Sequence, residues 1–167
     1  QGLLAYDAAA GTWVGVSPAT IAGRVSALAS GAGALFAGTD NGVFALPLGP
    51  APAGATPVAA GLAGSIVRSL LVTPSIVLAG TIDSTDNNYV LFTSAAAAAQ
   101  GTGLWQAFGV GSAGTRRITS LLMVDTNLLA ATNGNLVLVA SAGSTWSSAN
   151  TSADSAQQIA DPFGSVT

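Results

Sequence analysis

VSALASGAGALFAGTDNGVFAL, running from Val25 to Leu46, is an apolar run, a glycine turn, the phrase LFAGT, an Asp-Asn-Gly turn and a second apolar run. The phrase returns twice. Val67 to Phe92 reads VRSLLVTPSIVLAGTIDSTDNNYVLF, and Ile118 to Val139 reads ITSLLMVDTNLLAATNGNLVLV. In the first copy Val25 to Ala29 forms strand a, Ala34 to Thr39 strand b and Val43 to Leu46 strand c. Asp40-Asn41-Gly42 predicts a tight primed turn between b and c, because Asn-Gly supplies the positive φ such a turn needs at its centre. Asn133-Gly134 holds the same place in the third copy, and the second substitutes a longer loop from Ile82 to Asn88.

The alanines before the Gly-Thr or Ala-Thr step, Ala37, Ala79 and Ala130, lie 42 and then 51 residues apart. A period of about 40–50 residues built of strands and turns points to a β-propeller with one blade per repeat. The strands are nearly continuously apolar instead of alternating, so each sheet is expected to meet protein on both faces. Glycine inside the Ala-Gly-Thr step marks close approach by a neighbouring sheet. No segment shows capped helical periodicity; only the alanines around Ala95 favour a helix, and Gly101 and Gly103 close it. The expected fold is therefore all-β, a β-propeller with three full four-stranded blades and a half blade. Its divisions are a half blade 2–24, blades 25–66, 67–117 and 118–149, and an irregular tail 150–167. Pro47 to Gly64, rich in Pro, Ala and Gly, reads as a long irregular edge. Propellers close with about 4–8 blades, so a portion of a larger ring is expected. Closure of a four-bladed ring by a tail strand at Gln157 to Asp161 is the alternative. The chain opens on Gln1 instead of Met, as a processed or partial chain would.

Gly11-Thr12-Trp13, Gly103-Leu104-Trp105 and Gly143-Ser144-Thr145-Trp146 each follow a c strand. Recurrence at one place in a repeat predicts a wedge between blades; a ligand platform is the other possibility. LFAGTDNGVF followed by a Gly-x-Thr-Trp turn resembles the repeats of the BNR/Asp-box and related bacterial propeller families, whose box is Ser/Thr-x-Asp-x-Gly-x-Thr-Trp. Val139 to Trp146 keeps Gly143, Thr145 and Trp146, with Val139 at the hydroxyl position and Ser141 at the Asp position. Asp7 to Trp13 keeps an Asp, a Gly and the Trp at another spacing. The resemblance covers the repeats and implies a fold class without a substrate.

Composition removes many chemistries. The chain has no Cys, His, Lys or Glu, and its charges are seven Asp and four Arg. Thiolate or imidazole metal sites, disulfides, and Cys or His nucleophiles are excluded. A net charge of −3 leaves no electrostatic footprint for nucleic acid. Only 7% of residues are charged, against about 25% in ordinary soluble domains, so the surface is poorly protected against association. Ser69 to Ile82 is the most apolar stretch, but Pro74 interrupts it and it is shorter than the roughly 20 residues of a membrane span. Sialidase-type hydrolysis, known on such scaffolds, needs an Arg cluster, a Tyr activated by Glu, and an Asp; Glu is missing and no Asp pair is placed by the repeat. No catalytic residue and no cofactor are expected.

Three weaker features remain. Asp83, Asp86 and Asn88 offer oxygen ligands to Ca²⁺, without the Asp-x-Asp-x-Asp-Gly pattern; a solvated hairpin loop is the plainer account. Arg68, Arg116 and Arg117, with Arg24, lie near one rim of the repeats, where arginine could grip a carboxylate or a partner's backbone. Solvation of the rim, or pairing with Asp7, Asp125 or another Asp, is the plainer account. Asn150-Thr151-Ser152 is an N-glycosylation acceptor pattern, so a glycan is a possible modification of an exported chain. Together these point to a non-catalytic scaffold or interaction subunit, extracellular or periplasmic, whose partners are other protein subunits or copies of itself. A carbohydrate-binding module and a self-assembling filament or surface-layer subunit are the alternatives.

Overall fold

The computed structural model describes residues 3–16, 21–48, 57–83, 86–109, 117–133 and 137–148. They form fourteen strands and one short helix. β1 (Leu3–Asp7) and β2 (Thr12–Val16) make a lone hairpin. β3 (Val25–Gly31), β4 (Ala34–Thr39), β5 (Gly42–Pro47) and β6 (Val58–Gly61) make the first four-stranded sheet. β7 (Ile66–Val72), β8 (Ile76–Ile82), β9 (Asn88–Ser94) and β10 (Gln106–Ala107) make the second, with helix α1 (Ala95–Ala99) between β9 and β10. The third comprises β11 (Ile118–Val124), β12 (Asn127–Thr132), β13 (Val137–Ser141) and β14 (Ser147–Ser148). Every pairing is antiparallel between strands adjacent in sequence. The fold is all-β, with the described residues laid out as four sheets in succession.

Local chemistry accounts for the turns, with two departures from expectation. The β4–β5 turn is centred on Asp40-Asn41, neither of which has positive φ, and Gly42, at 105°, already pairs with Thr39. It is therefore not a primed Asn-Gly turn. Its side chains do the holding: Asp40 Oδ1 accepts the Arg24 N–H at 2.8 Å, and Asn41 Oδ1 accepts the Gly64 N–H at 3.1 Å. Glycine is required at position 42 because a Cβ there would stand 2.7 Å from the Gly61 carbonyl oxygen. The second departure is β6, an ordered strand at Val58–Gly61 inside the stretch that composition marked as irregular. Tertiary pairing with β5 overrides its weak local preference. Gly134 and the Gln157–Asp161 segment lie outside the described residues.

Burial is organised between sheets. One core cluster joins the hairpin to the first sheet through Leu3, Ile21, Ala37, Phe44 and Leu46. A second joins the first and second sheets, with Phe36 and Val43 facing Val67 and Val77. A third joins the second and third, with Leu78 and Val90 against Ile118 and Leu128. The middle sheets thus bury both faces, which is why their strands lack a polar period.

Two small-residue devices set the approach. The first strand of each following sheet plugs into the glycine of the Ala-Gly-Thr step before it. A Cβ on Gly38 would lie 2.6 Å from Val67 Cγ1, and one on Gly80 would lie 2.9 Å from Ile118 Cγ2. Indole rings close the opposite edge. Trp105 donates its Nε1–H to the Ala60 carbonyl at 2.8 Å and lies on Gly61, while Trp146 lies on Gly109. Helix α1 fills the space beside Trp105: Ala95 and Ala98 enter the second core, and Gly101, at φ 73°, ends the helix against Val58 and Ala59.

Candidate functional site

The first strands of the three full sheets share one irregularity. Pairing slips between Val25 and Ala27, between Val67 and Ser69, and between Ile118 and Ser120. Ser26, Arg68 and Thr119 are therefore the extra residues of three equivalent β-bulges, a device that re-aims a side chain out of the ladder. Serine and threonine at this place bond to backbone. Ser26 Oγ donates to the Val67 carbonyl, across the gap to the next sheet, and Thr119 Oγ1 donates to the Ala131 carbonyl at 3.3 Å. Arg68 makes no such bond, and its Nε is buried without a partner.

In the first and third sheets the residue before the bulged strand is clamped by the end of its neighbour. Arg24 and Asp40 exchange two bonds, Arg24 N–H to Asp40 Oδ1 at 2.8 Å and Asp40 N–H to the Arg24 carbonyl at 3.3 Å. Arg117 and Asn133 repeat them at 3.1 and 3.0 Å. In the second sheet Ile66 and Ile82 form an ordinary strand pair at this place, and its arginine sits at the bulge instead. The bulge turns Arg68 so that it lines the same depression as Arg24 and Arg117.

The result is an open depression of about 410 Å³ lined by Arg24, Arg68, Arg117, Ile118, Thr119 and Asn133. Its charge is wholly positive. The Nε of Arg68 is buried without a hydrogen-bond partner. No guanidinium of the three forms an ion pair among the described residues. The Asp partners considered from sequence are elsewhere. Asp7 Oδ1 accepts the N–H groups of Ala9 and Ala10, and Asp125 sits at φ 53° in the turn at the far end of β11, roughly 25 Å along the strand from Arg117.

The loop of Asp83, Asp86 and Asn88 is held by its own bonds. Asp83 Oδ1 accepts the Asn87 N–H at 3.0 Å, the Asp86 N–H donates to the Asp83 carbonyl at 3.2 Å with Asp86 at φ 61°, and Asn88, buried within β9, donates its Nδ2–H to the Asp86 carbonyl at 3.4 Å. Among the described residues no group of three or more Asp gathers around a common point. Arg116 and Asn150 lie outside the described residues. The three tryptophans divide: Trp105 and Trp146 are partly buried in the cores, whereas Trp13 is 66% exposed on β2, its ring 5.3 Å from that of Tyr6. Among the described residues no helix is long and apolar enough to cross a membrane.

The bulge was the element missing from the sequence reading. Its trace is the alignment of Ser26, Arg68 and Thr119 one place after the first apolar residue of each repeat. That alignment would have placed Arg68 in register with two hydroxyls that bond backbone.

No family model matches the chain, and no curated protein matches it in sequence. Among solved structures it is similar to the computationally designed Ika4 protein, at 16% identity and a TM-score of 0.49, over 74% of this chain and 69% of that one. It is similar to the computationally designed Ika8 protein at 17% identity and a TM-score of 0.47, over 71% of this chain and 33% of that one.

Proposed function

We propose that the sheets are blades of a β-propeller and that this chain is a non-catalytic, extracytoplasmic scaffold or interaction subunit of a larger assembly. The supporting observation is the contrast between the middle and the ends of the stack. Leu70 and Leu121 occupy the same place in their repeats and are packed in cores, whereas their counterpart Leu28 is 54% exposed beside the lone hairpin. The hairpin presents Leu4, Tyr6 and Trp13 on its outer face, and the third sheet presents Leu122 and Val124. Apolar faces at both ends of a stack of low charge favour docking of further sheets, whether from a partner protein or from copies of this chain. Export is favoured by a Ser-, Thr-, Ala- and Gly-rich composition without lysine.

Sedimentation velocity across a hundredfold concentration range tests this. Association that weakens in Trp13→Ser and in Leu122→Ser supports it; a monomer at every concentration that also captures no partner from its native source sinks it. Carbohydrate binding is the second reading, favoured by the exposed Tyr6–Trp13 ring pair, which has the amphipathic surface sugars stack on. Affinity electrophoresis in polysaccharide gels separates the two. Retardation abolished by Trp13→Ala, in a chain that stays monomeric, favours the sugar.

A further inference from the structure

We propose that the depression ringed by Arg24, Arg68 and Arg117 is a binding site for a small oxyanion of two or three charges, a di- or tricarboxylate or a phosphate. This goes beyond the scaffold reading and does not depend on how the ring is completed. An acidic chain with a net charge of −3 and only four cations brings three of them to one place from positions 44 and 49 residues apart. Mere solvation does not require that convergence, since each arginine would be better hydrated alone.

The arginines are also free to act. Asp40, beside the main chain of Arg24, uses Oδ1 on the Arg24 N–H, and Asp7 and Asp125 serve other turns. Arg68 keeps a buried Nε–H without an acceptor. Guanidinium forks match carboxylate and phosphate oxygens in pairs, and three of them offer charge for an oxyanion of two or three charges. The surrounding groups fit the same ligand. Asn133 turns its Oδ1 to the Arg117 N–H, which leaves its amide N–H₂ as the donor at the depression. No described acidic side chain lines the wall.

Position and size narrow the ligand class. The Arg24 and Arg117 backbones are clamped by two bonds each, and Arg68 is aimed by a bulge, so little backbone ordering accompanies binding. A volume of about 410 Å³ is near the lower end of small-molecule sites. Three charges in that space suit a compact polyanion better than an extended polymer.

Isothermal titration of the full chain with citrate, with inorganic phosphate and with acetate tests the site. Saturable one-to-one binding of citrate or phosphate is expected, at least tenfold tighter than acetate and weaker at higher salt. The tighter of the two probes identifies whether carboxylate or phosphate is preferred, and either supports the site. Arg117→Gln and Arg24→Gln alter exposed side chains, so folding survives and each should weaken binding at least fivefold. Arg68→Gln should weaken it at least tenfold, with Arg68→Lys intermediate because it keeps charge and loses the fork; circular dichroism verifies the fold of each. Absence of saturable binding by both probes, or affinity in the triple Gln variant within twofold of the original, overturns the proposal.

Discussion

The β1–β2 hairpin and the second sheet carry the same Gly-x-Trp phrase and put it to opposite uses. Trp105 lies on Gly61 and donates a hydrogen bond to Ala60, both on the last strand of the sheet before it. Trp13 finds no such strand among the described residues and stands beside the Tyr6 ring, two-thirds exposed. Leucine repeats the contrast, packed at Leu121 and exposed at Leu28. What makes a wedge is therefore the preceding sheet and not the motif. The same difference explains a substitution in the repeat itself. Gly38 and Gly80 admit Val67 and Ile118 from a following sheet, while the third copy has Ala131, with no described sheet after it.

Substitutions at paired positions can break this contrast. Trp105→Ala should cost about 3 kcal/mol through lost packing and an orphaned Ala60 carbonyl, and Trp13→Ala less than about 0.5 kcal/mol. Equal shifts in urea midpoint would end the wedge account. Leu121→Ala should follow at about 2–3 kcal/mol, with Leu28→Ala below about 1 kcal/mol; comparable losses would mean the hairpin end is covered in solution. Gly38→Ala forces Val67 aside and should cost about 1–2 kcal/mol. Gly15→Ala, where a Cβ meets nothing within 4 Å, should be neutral in the same urea titrations. Asp40→Ala should cost about 1 kcal/mol for the lost clamp on Arg24. Asn133→Ala should match it, because the two side chains play one part in different sheets.

The strands of the three repeats were legible because each is an apolar run bounded by turn residues. The b strands at Ala34–Thr39, Ile76–Ile82 and Asn127–Thr132 all contain the quoted phrase. The glycine step was legible too, since an unbranched backbone inside an apolar strand has few uses besides close approach. The β4–β5 turn was misread because Asn-Gly dipeptides report local φ preference alone. Here Asn41 and Asp40 spend their side chains on residues 23 and 16 positions away, and those bonds choose the turn. β6 was missed for a related reason, its ordering coming from β5 and not from its own composition.

Sequence alone determined the period, the strand content, the glycine contacts and the absence of thiol, imidazole and glutamate chemistry, because each follows from residue identity or short-range spacing. The tertiary structure alone decided which tryptophan is a wedge and which is a surface. It also decided that three scattered arginines face one depression. Both depend on what stands opposite a side chain after sheets stack, and on a one-residue bulge that turns Arg68 out of its ladder. Such neighbours lie some forty to fifty residues away along the chain, beyond the reach of any local pattern.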